Sequence, residues 1–138
     1  MQSWVEFSKG VLNCGLEPNL VRLVTVRASQ INGCAAGIDS HTAAARKLGE
    51  TEQRLYLLDA WRGSPFYSDR ERAALGWAEA LTLVAQTDVL DDACQALQTQ
   101  FSPEEQIKLT LLIVTINGWN RVQLGFRDAY PIERREAA

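Results

Sequence analysis

The segment from Ser102 to Phe126 constrains the fold most. Ser102 stands before Pro103, and Glu105 follows three residues after the serine. A serine that accepts from the third helical N–H, a glutamate that reaches back, and a proline at the first helical position together predict a helix start. The helix predicted from Pro103 to about Phe126 carries apolar residues on most of its circumference, among them Ile107, Leu109, Leu112, Ile116, Trp119 and Val122. A helix apolar all round must be covered on several sides. In a chain of 138 residues, that makes it either a central core helix or a subunit interface.

Other helix signals recur, while alternating strand patterns are scarce. Leu20, Leu23, Val24 and Val26 fit one face of a helix that follows Pro18 and ends at the Asn32-Gly33 break. An Ala-rich helix is predicted from Ala35 to Leu48, with Gly49 as its stop. A short one follows from Thr51 to about Ala60, and Arg62 to Pro65 reads as a loop. Ser68 with Glu71 forms a second capping box, and Asp91 to Thr99 reads as a further helix. The tail after Pro131 is expected to fray. The reading is a single all-α domain over residues 1–138, a helical bundle assembling as an oligomer.

Hydrophobic residues make up 46% of the chain and charged ones 22%, an ordinary globular balance. The net charge of -3 gives no reason to expect nucleic acid or an anionic membrane surface as partner. The start does not read as a signal peptide, and the apolar run Leu109 to Ile116 is too short to span a bilayer, which needs about 20 residues. Three widely spaced cysteines, Cys14, Cys34 and Cys94, are no secreted disulfide framework. A cytoplasmic protein with free thiols is expected.

The chemistry concentrates in "INGCAAGIDSHTAAARKLG", Ile31 to Gly49. Cys34 opens a predicted helix, where unpaired N–H groups and the helix dipole favour the reactive thiolate. His41, the chain's single histidine, lies seven residues on. It returns to nearly the same face but about 10.5 Å further along the axis, too far for a direct hydrogen bond. Position 37 neighbours both, three residues after Cys34 and four before His41. It is Gly37, which supplies no thiol. Cys34 and His41 give at most two metal ligands, so no metal and no cofactor are expected.

The stretch "RASQINGCAAGIDSHTAAARKLGETEQRLYLLDAWR", with "YSDRERAALGWAEALTL", "FSPEEQIKLTLLIVTINGWNR" and "LGFR", resembles the short, single-domain branch of the AhpD-like family, which also contains carboxymuconolactone decarboxylases. The resemblance implies an all-α AhpD-like bundle forming trimers or hexamers. In the peroxidase branch a C-x-x-C-x-x-x-H motif reduces a hydroperoxide, and a glutamate twelve residues before the first cysteine relays protons with the histidine. Cys34 matches the first cysteine and His41 the histidine. Gly37 stands where the second, peroxide-attacking cysteine belongs, and Arg22 stands where the glutamate belongs.

Three functions follow from this resemblance. The first is peroxiredoxin-type thiol peroxidase activity, weakened or lost, that works with Cys34 alone, an external thiol reductant and Glu79 as substitute carboxylate. The second is a non-catalytic member that binds a small molecule or anion, with Arg22, His41 and the helix start near Cys34 as the site and the space vacated at Gly37 enlarging it. The third, lactone decarboxylation, has no positive mark. If position 37 alone disables the chemistry, Gly37→Cys should return the intrahelical disulfide and part of the peroxide turnover, and Arg22→Glu should add to it.

Overall fold

The computed structural model describes residues 1–127; the predicted fraying after Pro131 lies outside them. The described residues form seven α-helices: α1 (Gln2–Leu12), α2 (Pro18–Asn32), α3 (Ala35–Lys47), α4 (Glu52–Tyr56), α5 (Asp69–Thr82), α6 (Asp91–Gln100) and α7 (Pro103–Phe126). A 3₁₀ segment, Leu58–Gly63, joins α4 to α5. No strand occurs among the described residues.

Both predicted capping boxes are formed. Ser68 and Ser102 each accept from the backbone N–H of the glutamate three residues on, and each glutamate carboxylate accepts from its serine's N–H. Gly33, at φ +66°, closes α2 in the left-handed conformation that glycine adopts without strain, so the chain turns at once into α3. The segment predicted as one helix from Thr51 to Ala60 breaks after Tyr56, and Ala60 leaves helical geometry. The break lets both Leu58 and Trp61 turn inward, with Trp61 Nε1 donating to Glu79.

The centre of the bundle is α2 rather than α7. It packs against α3, α5 and α7. Its apolar side chains divide between two cores: Leu20, Val21 and Val24 join α5, α6 and α7, while Leu23 and Val26 join Leu55, Leu58, Trp61 and Leu75. Burial on opposite sides explains why a helix can be rich in β-branched valines: tertiary packing overrides propensity. On α7, Leu109, Leu112, Ile113 and Ile116 are buried, but Ile107, Leu111 and Val114 form an exposed stripe. No helix among the described residues is long and apolar enough to cross a membrane.

Helix α1 was not apparent in the sequence, because Gly10 interrupts it and no capping residue precedes it. Packing on α7 holds it in place. Trp4 lies over Gly118, where a Cβ would come within 2.8 Å of the indole. Trp119 Nε1 donates to Ser8 Oγ at 2.8 Å. Gly118→Ala should therefore destabilise the fold by about 1–3 kcal/mol through overpacking. In a Trp4→Ala background the same substitution should stabilise by up to about 1 kcal/mol, because alanine is the better helix former. Urea unfolding of the four proteins reads this sign change, and a cost that persists without Trp4 would refute the packing account.

Candidate functional site

The sequence break at Asn32-Gly33 places Cys34 as the N-cap of α3. Its backbone N–H is bonded to Ser29 C=O at 2.9 Å, and its side chain is 1% exposed. The thiol donates to Gln123 Oε1 on α7 at 3.2 Å. His41, two turns further along α3, does not share that contact. Its Nδ1 faces Arg22 Nη1 of α2 at 3.5 Å. Burial, and then the Arg22 charge, push the His41 pKa down from 6.5 to about 4. The imidazole is neutral at physiological pH.

Gly37 lies buried between these two residues. A Cβ built on it would meet Ser29 Oγ at 2.5 Å, Asn120 Oδ1 at 2.9 Å and Ser29 Cβ at 3.0 Å. The volume a second cysteine would need is therefore not vacant, as the sequence reading supposed. It is filled by Ser29 from α2 and Asn120 from α7, joined by a hydrogen bond of 3.2 Å from Ser29 Oγ to Asn120 Oδ1. A cysteine at position 37 would have to displace these two side chains before it could pair with Cys34.

Beside Gly37 lies a cavity of about 190 Å³. Its walls include Leu12 of α1, Thr25 of α2, His41 of α3, and Leu112, Ile116, Trp119, Asn120 and Gln123 of α7. The fully buried Nδ2 of Asn120 has no hydrogen-bond partner. Sequence reasoning missed Ser29, Asn120 and Gln123. A usable signal was there: Asn117 and Asn120 are two amides one turn apart inside an apolar helix.

Glu79 sits elsewhere, on the side of α5 that faces α2 and the 3₁₀ segment. It accepts from Arg27 Nε at 3.0 Å, Trp61 Nε1 at 2.8 Å and Arg62. Burial alone would raise its pKa, but the bonds from Arg62, Trp61 and Arg27 outweigh it and hold the carboxyl below its ordinary value. Its oxygens are committed to three donors that tie these elements together, none of them Cys34 or His41. Cys14 packs against the first core, and Cys94 lines a groove with Trp77 and Leu97. All three cysteines are free. Among the described residues no cluster of three His, Cys, Asp or Glu is placed to hold a metal ion.

Residues 1–80 match the model of the carboxymuconolactone decarboxylase family. The chain belongs to that family. It is 39% identical over 124 residues to the uncharacterized protein YdfG of Bacillus subtilis, covering 90% of this chain and 84% of that one. The uncharacterized protein YnjA of Escherichia coli is 35% identical over 100 residues, covering 71% of this chain and 53% of that one. Among solved structures, a protein of unknown function from Agrobacterium tumefaciens, proposed to be the antioxidant defence protein AhpD, superposes with a TM-score of 0.91 at 42% identity, covering 96% of this chain and 90% of that one. The debrominase Bmp8, in complex with 2,3,4-tribromopyrrole, shares the fold at a TM-score of 0.76 and 21% identity, covering 89% of this chain and 67% of that one. The all-α AhpD-like fold of this family member thus agrees with its sequence.

The neutral state of His41 gives a test by titration. NMR should place its midpoint near 4, and Arg22→Gln should raise it while burial keeps it below 6.5. The sign for stability follows. The unfolded imidazole takes up its proton first as pH falls, so this contribution is complete above about 6.5 and lost towards about 4. Its size is on the order of 3 kcal/mol. A midpoint at 6.5 in the folded protein would contradict the arrangement.

Proposed function

We propose that this family member binds a small molecule in the cavity beside Gly37, and that paired-thiol peroxide reduction is absent. The observation that carries the reading is the filling of the Gly37 Cβ position by Ser29 and Asn120 at the edge of that cavity. The intrahelical disulfide with Cys34 needs a thiol at that position. Arg22 in place of the relay carboxylate acts in the same direction. Burial, and then the Arg22 charge, hold His41 neutral, so the histidine does not carry the extra proton that a relay would pass on.

A second reading keeps single-thiol chemistry at Cys34, favoured by its place at the start of α3 and by its contact with Gln123, which lines the cavity. The thiolate would attack a hydroperoxide oxygen, giving a sulfenic acid and an alcohol. One equivalent of external thiol would form a mixed disulfide with release of water, and a second would free Cys34. Cumene hydroperoxide consumption with dithiothreitol separates the readings. Wild type and Cys34→Ser should both run at the background rate. Gly37→Cys should lose about 1–3 kcal/mol of stability from overpacking, with Ser29→Ala recovering part of it. Turnover by wild type that disappears in Cys34→Ser would replace the first reading with the second.

Self-association belongs to the proposal. Ile107, Leu111 and Val114 are 63%, 40% and 52% exposed and lie on one face of α7. Their spacing of four and three residues makes a continuous apolar stripe suited to a second copy of the chain. A trimer or hexamer is expected in sedimentation, and Leu111→Asp should shift it to smaller species. A stable wild-type monomer at micromolar concentration would count against an interface there.

A further inference from the structure

The cavity's polar atoms are unequally satisfied. Thr25 Oγ1 donates to Arg22 C=O at 3.0 Å, Thr115 Oγ1 to Leu111 C=O at 2.7 Å, and Ser40 Oγ to Gly37 C=O at 3.4 Å. Gln123 Oε1 accepts from Cys34. These hydroxyl oxygens keep lone pairs, but each already makes a hydrogen bond. Asn120 Nδ2 differs. Its amide oxygen is held by Ser29, its nitrogen has no partner, and the residue is 0% exposed. Buried polar groups are nearly always paired, so an orphaned donor lining a cavity marks the position of an acceptor.

The chemistry of Arg22 gives His41 the same polarity. A guanidinium has donors and no acceptor. Its contact with His41 Nδ1 therefore requires Nδ1 to be the acceptor, which leaves the imidazole proton on Nε2. Arg22 thus fixes one tautomer, and the imidazole that lines the cavity has a donor as its remaining polar atom. Leu12, Leu112, Ile116 and Trp119 supply apolar wall. Benzene fits an apolar protein cavity of about 150 Å³. The 190 Å³ here leaves room for a ring and one small substituent.

Resting on the small-molecule reading above, we infer that the cavity takes a compound with a benzene-sized apolar body and one hydrogen-bond-accepting oxygen, a carboxylate or a neutral carbonyl, held by Asn120 Nδ2 and the Nε2–H of His41. Arg22 is a positioning residue in this arrangement. It sets the tautomer of His41 and adds a positive charge behind it.

The test titrates the full chain at neutral pH with benzoate, acetophenone, toluene and benzylamine, followed by calorimetry and by the side-chain amide resonances of Asn120. Benzoate or acetophenone should bind at least about tenfold more tightly than toluene or benzylamine, and should shift the Asn120 amide signals. Benzoate ahead of acetophenone supports a carboxylate, and the reverse order a neutral carbonyl. Asn120→Asp keeps the oxygen that Ser29 needs and removes the donor. It should weaken the preferred probe about tenfold and leave toluene unchanged. If that variant does not fold, the wild-type amide shifts decide alone. Toluene or benzylamine binding as tightly as the two oxygen probes, or an unmoved Asn120 amide at saturation, would overturn the head-group assignment and leave the cavity reading standing. Binding of none of the four would overturn both.

Discussion

At Gly37 three helices meet with no room for a side chain. Ser29 of α2 and Asn120 of α7 lie where a Cβ would stand, and they hold each other by a buried hydrogen bond. The glycine costs α3 about 1 kcal/mol of helix propensity relative to alanine. In return α3 lies close against α2 and meets α7 at Asn120, and its N-terminus brings Cys34 within reach of Gln123. The cavity is bounded by this junction. Its polar lining comes from three helices: Thr25 from α2, Ser40 and His41 from α3, and Thr115, Asn120 and Gln123 from α7.

A thiol relay needs a histidine able to take and give a proton near neutral pH. Arginine at position 22 can only donate and is always charged. Beside a buried imidazole it favours one neutral tautomer, a fixed donor rather than a relay. The glutamate that could have restored a relay, Glu79, is committed to Arg27, Arg62 and Trp61. That cluster ties α2 and the 3₁₀ segment to α5. Its ion pairs are formed by a carboxylate side chain only 12% exposed, where removing one partner would leave a poorly solvated charge.

How far the sequence carried the reading depended on the kind of signal. Local rules located the helices: the serine and glutamate pairs at 68 and 71 and at 102 and 105, Pro103, and the Asn32-Gly33 break. The same rules missed α1, which is held by contacts with α7, the fit of Trp4 over Gly118 and the Trp119–Ser8 hydrogen bond, more than a hundred residues away in the chain. They left open whether α7 is the central helix, a place that α2 takes. Valines at 21, 24 and 26 are weak helix signals, yet they lie inside because α2 is covered on opposite sides. Cys34, Gly37 and His41 could be singled out by spacing, because one helix carries all three. Ser29, Asn120 and Gln123 could not, because their meaning comes from the packing of α2 and α7 on α3. The sequence shows that Gly37 lacks a side chain. It does not show that neighbours fill the space.

Two asparagines one turn apart on α7 show why the orphaned amide is informative. Asn117 is satisfied at both ends. Its nitrogen donates to Thr82 Oγ1 and Ile113 C=O, both at 2.9 Å, and its oxygen accepts from Asn32 and Arg121. It joins α2, α5 and α7 and leaves nothing unmade, as expected of a buried polar group that serves the fold. Asn120, on the same helix and more deeply buried, uses only its oxygen. The bundle can therefore pair an amide fully in this environment, and at Asn117 it does. At Asn120 the nitrogen is left beside a cavity that His41 also lines. A fold that needed only stability would gain from filling this space with an apolar side chain. An unpaired donor at the edge of a space the size of a substituted ring is satisfied when an acceptor occupies that space.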